Sequence, residues 1–137
     1  MTTEIYDDPD KSVLKAFWPM LREYNETAAG SSNYEELCIL LRDDAGEVAG
    51  GLNGATYRGW LFVENLVVRK DHRGQGLGSR LLTEAEDEAR RRGCIGSYLD
   101  TYSFQARPFY EKHGYTVFGA LGDFPPGHQR FFLSKTL

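Results

Sequence analysis

Three observations predict an α+β fold on a mixed, mostly antiparallel central sheet. Apolar, β-prone runs at 36–42, 47–57 and 60–68 are separated by short turns, which gives an antiparallel meander. An amphipathic segment beginning at Leu77 stands between the third run and a fourth at 94–101, which gives one strand–helix–strand crossover. Two further β-prone stretches, 115–119 and 130–133, supply a last antiparallel pair.

Each element has a local cause. Asp10 can cap a helix carrying Val13, Leu14 and Phe17 on one side. Pro19 then breaks or kinks that helix, and a second runs over about residues 20–29 to Gly30. Glu36–Arg42, ELCILLR, reads as a buried strand. Asp43-Asp44-Ala45-Gly46 and Arg58-Gly59 supply the turns on either side of the second strand. After the third strand, Leu77, Leu81, Leu82, Ala85 and Ala89 recur at helical spacing, with Arg80, Glu84 and Glu86-Asp87-Glu88 on the polar side and Gly93 as the stop. A short helix is expected around 105–113, and Ala120–Gln129 reads as a turn-rich loop.

No repeat, low-complexity tract or linker divides the chain, so residues 1–137 are expected to form one domain. The net charge of -4, without a basic tail, argues against a nucleic-acid partner. Arg90-Arg91-Arg92 is assigned to a solvated last helical turn. Cys38 and Cys94 read as buried, reduced thiols, and no metal site is expected. The N-terminal stretch is acidic and lacks an apolar region, and no run suits a bilayer, so a cytoplasmic location is expected.

The segment VVRKDHRGQGLGSRLL, residues 67–82, carries the chemistry. Gly74, Gly76 and Gly78 crowd the start of a helix, where glycine costs stability. A glycine turn there exposes backbone N–H groups at the positive end of the helix dipole, a site for phosphate or pyrophosphate. Two nucleotide loops fail on spacing. A Walker A loop needs Gly-Lys-Ser/Thr, and Gly78 is followed by Ser79 and Arg80. A dinucleotide fingerprint needs a third glycine where this chain has Ser79 or Leu81.

Arg73-x-x-Gly76-x-Gly78 between a strand and an amphipathic helix resembles motif A of the GCN5-related N-acetyltransferase (GNAT) superfamily. Ala106-Arg107-Pro108-Phe109-Tyr110-Glu111-Lys112-His113-Gly114-Tyr115 resembles the family's motif B, and the likeness extends over roughly residues 34–134. It implies the GNAT fold, with flanking helices and a splay between the family's fourth and fifth strands, which correspond here to the runs at 60–68 and 94–101. It also implies transfer of acetyl from acetyl-CoA to a primary amine. The implied acceptor is a small-molecule or peptide amine, and a homodimer through the exposed final strand edge is possible. On this resemblance Arg73, Gly74, Gln75, Gly76, Leu77, Gly78 and Ser79 hold the CoA pyrophosphate. The backbone of Leu66, Val67 and Val68, with Thr101 nearby, receives the pantetheine arm. Gln105 stands near where many members carry asparagine.

Tyr110 matches the tyrosine that protonates the leaving thiolate; its ordinary pKa of about 10 lies near that of an alkyl thiol. Glu64 is the candidate base, as a carboxylate in the apolar strand WLFVENLVV whose burial would raise its pKa. His128 is a second candidate for that role. Trp18, Tyr57, Trp60, Phe124 and His128 are assigned to the acceptor pocket. His72 and His113 receive no catalytic role, and Arg69 and Arg107 are assigned to the solvated surface.

Overall fold

A computed structural model describes all residues, Met1–Leu137, as two compact units, Met1–Ser32 and Asn33–Leu137. The first is helical, with α1 at Lys11–Lys15 and α2 at Trp18–Ala29. The Asp10 carboxylate accepts hydrogen bonds from the amides of Ser12 and Val13 and caps α1 as expected. Pro19 does not end a helix. It stands in the first turn of α2, where its missing N–H goes unused and its fixed φ suits the helix.

The second unit carries a six-stranded sheet: β1 (Glu35–Arg42), β2 (Val48–Tyr57), β3 (Trp60–Val68), β4 (Gly96–Tyr102), β5 (Thr116–Gly122) and β6 (Gln129–Thr136). Helix α3 (Leu77–Arg91) joins β3 to β4, and α4 (Arg107–Lys112) precedes β5. The strand order is β1-β2-β3-β4-β6-β5, with only β3 and β4 parallel. The last two strands are longer than their sequence suggests, so the connection between them shrinks to residues 123–128. β6 lies between β4 and β5, so the final strand is paired on both sides and the free edge belongs to β5. The final-strand edge expected to support a homodimer therefore does not exist.

Leu81, Leu82, Ala85 and Ala89 of α3 form one core with Leu37, Leu61, Val63, Leu99 and Leu133 of the sheet. Burying each large aliphatic side chain contributes about 1.5–3 kcal/mol. Strand alternation that buries Leu37 turns Cys38 outward, so this thiol is exposed rather than buried. Cys94 is partly buried, which pushes its thiol pKa up. Arg92 is drawn out of solvent to Glu88, the Glu36 carbonyl and Thr56 Oγ1.

Glu86 departs furthest from its assigned polar face: it is only 4% exposed. Tyr115 Oη donates to Glu86 Oε2 at 2.8 Å and lies 2.8 Å from Ser97 Oγ. Lys135 Nζ bonds both Glu86 oxygens, at 2.9 and 3.1 Å. This network ties α3, β4 and β6 together, and burial pushes the Tyr115 phenol well above its ordinary pKa.

β3 pairs with β4 only from Trp60↔Gly96 to Val63↔Leu99. Beyond that point β3 stays with β2, through Asn65↔Asn53, Leu66↔Leu52 and Val68↔Gly50, while Asp100–Tyr102 stay with β6. The parting coincides with a bulge. Asn53 pairs Asn65 and Gly54 pairs Val63, which leaves Glu64 as the extra residue. Gly54 is required opposite it, because a Cβ there would lie 1.9 Å from the Phe62 carbonyl oxygen.

Candidate active site

The glycine loop is braced from behind. Arg69 Nε donates to Asp71 Oδ1 at 2.7 Å, its Nη2 to Asp43 Oδ2 at 2.9 Å, and its Nη1 to the Val48 carbonyl at 3.1 Å. These hydrogen bonds hold both carboxyls below the usual carboxylate range. Arg69 is thus an exposed side chain, as expected, that also serves as a strut between the β1–β2 turn and a 3-10 turn at Lys70–His72. Arg107 pairs with Glu111 at 2.7 Å and covers the Phe131 ring.

Gly74 and Gly76 hold positive φ, 81° and 75°, where a side chain would be strained. Gly76 is the N-cap of α3, and no side chain caps that end. The first-turn amides of a fifteen-residue helix are therefore available to an anion. They border a cavity of about 510 Å³, lined by Arg73, Gly74, Gly76, Leu77, Gly78 and Ser79 and closed by Leu66, Val68, His72, Ala106, Phe109 and Tyr110. Arg73 Nε donates to the Val68 carbonyl at 2.9 Å, which holds its side chain beside the loop.

A second cavity, of about 770 Å³, fills the gap between the parted strands. Leu66, Val68, Arg73, Ala106 and Tyr110 line both, so the two form one groove from the helix N-terminus into the sheet. In the gap, the backbone edge of β3 from Glu64 to Val68 has no strand partner on the β4 side. Asp100, Thr101, Phe104 and Gln105 form the facing wall.

Tyr110 stands where the two cavities meet. Its ring packs edge-on against Phe109 and Tyr115, at 5.1 and 6.0 Å, and the residue is 8% exposed. Its hydroxyl makes no hydrogen bond within the protein. Burial, then the charge of Asp100, raise its pKa, so the phenol is protonated throughout the physiological range.

Most of the predicted cosubstrate residues line the groove: Leu66, Val67, Val68, Arg73, Gly74, Gly76, Leu77, Gly78, Ser79, Thr101 and Gln105. Gln75 does not; it is exposed beside the loop. Gln105 Oε1 accepts from the Tyr102 amide at 2.9 Å and from Thr101 Oγ1 at 3.3 Å, so these polar groups bind the loop together.

Glu64 reaches the groove but is not buried. The bulge leaves it exposed, not buried as its apolar strand suggests, with Asn53 Nδ2 donating to its Oε2 at 3.4 Å. The sequence carries a sign of this bulge: core-facing residues switch parity from Leu61 and Val63 to Leu66 and Val68.

The aromatic assignments divide. Trp60 and Tyr57 lie at the paired end of β3, away from the gap, in a cluster with Tyr34, Phe62 and Tyr98. They do not border the groove. His128 meets Phe104 edge-on at 5.1 Å, and Phe104 stacks on Tyr102 at 5.0 Å. Phe124 leans on that same Tyr102 at 5.8 Å, so Phe124 and His128 back the wall that Phe104 presents. Arg130 joins them from β6, paired with Asp100 at 2.8 Å. Trp18 belongs to the N-terminal helical unit and stands half exposed on α2.

A groove with bare helix amides at one end, a free strand edge along its length and a buried phenol at the junction suits an extended, phosphate-bearing acyl donor. Comparison with known proteins agrees. The model of the Acetyltransferase (GNAT) family matches residues 3–115. The chain is 42% identical over 135 residues to an acetyltransferase of Agrobacterium fabrum, covering 98% of each chain. It is 46% identical over 95 residues to blasticidin-S acetyltransferase of Streptomyces morookaense, covering 69% of this chain and 70% of that one. A crystal structure from Agrobacterium tumefaciens matches with a TM-score of 0.92 at 41% identity, covering 100% of both chains. The chain belongs to the acetyltransferase (GNAT) family and is an N-acetyltransferase.

Proposed function

We propose that this enzyme transfers acetyl from acetyl-CoA directly to the primary amine of a small molecule. The observation that carries this reading is the continuity of the groove through Tyr110, from the bare amides of α3 to the unpaired edge of β3. The relative named for blasticidin-S favours a small-molecule acceptor over a peptide.

Each part of the groove has a task. Backbone N–H groups between Gly74 and Ser79, with the Arg73 charge, bind the pyrophosphate of CoA. The free edge of β3 at Leu66–Val68 pairs with the amides of the pantetheine arm as an added strand would. Tyr110 donates its proton to the departing thiolate sulfur, and its raised pKa keeps that proton in place until the sulfur carries charge. Glu64, exposed at the bulge, attracts the cationic acceptor and takes the amine proton through water.

The test is thiol release from acetyl-CoA across aminoglycosides, polyamines, amino acids and lysine peptides. At least one small-molecule amine is expected to raise release roughly a hundredfold over the amine-free rate. CoA binding without turnover on any amine would overturn direct transfer and leave an acyl-CoA-binding sensor. Turnover on lysine peptides alone would overturn the acceptor class.

A further inference from the structure

Behind the phosphate loop lies a side-chain pair that the mechanism above does not use. Ser79 Oγ and His113 Nε2 are 2.8 Å apart. Ser79 lines the cavity in the first turn of α3, whereas His113 closes the C-terminus of α4 and does not line it. The His113 ring packs on Phe109 at 4.7 Å, and Phe109 Cζ would lie 3.5 Å from a Cβ on Gly78. Phe109 thus sets the spacing between the two helices, and that spacing brings the imidazole to the serine.

A serine hydroxyl has one proton, so the pair has two arrangements. If Nε2 accepts, the Ser79 proton points back at the imidazole and away from the cavity. If Nε2–H donates, Ser79 Oγ is held as acceptor and its proton is free to face the cavity. An anion at the loop selects the second arrangement, because a hydrogen bond to a charged oxygen is worth more than one to a neutral ring nitrogen. Without a partner, a serine in a first turn can also turn back toward its own backbone.

We propose that His113 is a positioning residue of the phosphate site: its Nε2–H orients Ser79 so that the serine hydroxyl donates to the pyrophosphate of CoA. The inference rests on the acetyl-CoA reading above. His113 acts through Ser79 and touches neither the acyl group nor the acceptor.

The experiment compares acetyl-CoA with S-acetylpantetheine, which keeps the thioester and lacks the pyrophosphate. In His113→Leu, the ratio of kcat/KM for acetyl-CoA to that for S-acetylpantetheine falls roughly tenfold, the scale of one hydrogen bond to a charged group. His113→Gln, whose amide can still donate, keeps that ratio within about threefold. Ser79→Ala matches His113→Leu, and the double variant falls no further, since both remove one interaction. An equal loss with both thioesters, or no change in the ratio, would overturn the proposal. Nitrogen-15 NMR of the wild-type imidazole gives a reading that does not depend on a variant folding. CoA must fix Nε2 in its protonated form while pantetheine does not, and an Nε2 left unprotonated by CoA overturns the proposal. If neither thioester is turned over, direct transfer falls, while calorimetric binding of CoA against pantetheine still decides the role of His113. A wild-type protein that binds no CoA overturns both.

Discussion

The two halves of the β3–β4 pair make opposite use of one ladder. From Trp60 to Val63 the strands are joined, and the nearby polar groups Glu86, Ser97, Tyr115 and Lys135 satisfy one another. From Glu64 onward the strands part, helix amides lack a side-chain cap, and the Tyr110 hydroxyl has no partner. The closed half converts its hydrogen-bonding capacity into rigidity; the open half keeps that capacity for a ligand. A site of this kind is made by withholding pairing from one stretch of a well-anchored sheet.

Three substitutions probe this contrast. The largest effect is expected in the closed half: Glu86→Ala strands the Lys135 ammonium beside Tyr115 and Ser97 and lowers stability by about 3 kcal/mol. Thermal or urea unfolding measures it, and a loss below about 1 kcal/mol would show that the network is not what holds the closed half. Tyr110→Phe should reverse the pattern, leaving the melting temperature in place while kcat falls roughly a hundredfold. Its pH dependence has a definite sign. A donor with a raised pKa stays protonated to higher pH, so the alkaline fall in wild-type kcat begins above the ordinary tyrosine value of about 10. A fall centred near neutrality would assign that limb to another group. The smallest effect belongs to the boundary. Glu64→Gln should lower kcat/KM roughly tenfold and remove one ionisation from the ascending acid limb, without changing stability. An unaltered pH profile would leave Glu64 with charge recognition alone.

Sequence reading succeeded where the signal was local. The glycine spacing at 74, 76 and 78 and the tyrosine helix marked both walls of the groove, because loop and helix starts are dictated by a few adjacent residues. It failed where partners come from distant strands. Glu86 shares its polar helical neighbourhood with Asp87 and Glu88, and only Tyr115 and Lys135 make its burial tolerable. Tyr57 and Trp60 are aromatic enough to suit a pocket, yet their register places them at the wrong end of β3. β6 intervenes between β4 and β5 without any local cue, since pairing order is a property of the whole sheet. The His113–Ser79 contact spans 34 positions and was equally silent.

The bulge at Glu64 also sets the kind of change this region can absorb. Side chains at 64 and 65 face water and the groove rather than the core, so the fold does not dictate their identity, yet the number of residues between Val63 and Leu66 is fixed. Removing one would erase the bulge and restore regular alternation with Leu66 and Val68 still on the core side, and the continuous strand could then pair with β4 across the groove. Natural variation and laboratory libraries can therefore rewrite the spelling of this segment, and with it the preferred amine, but not its length.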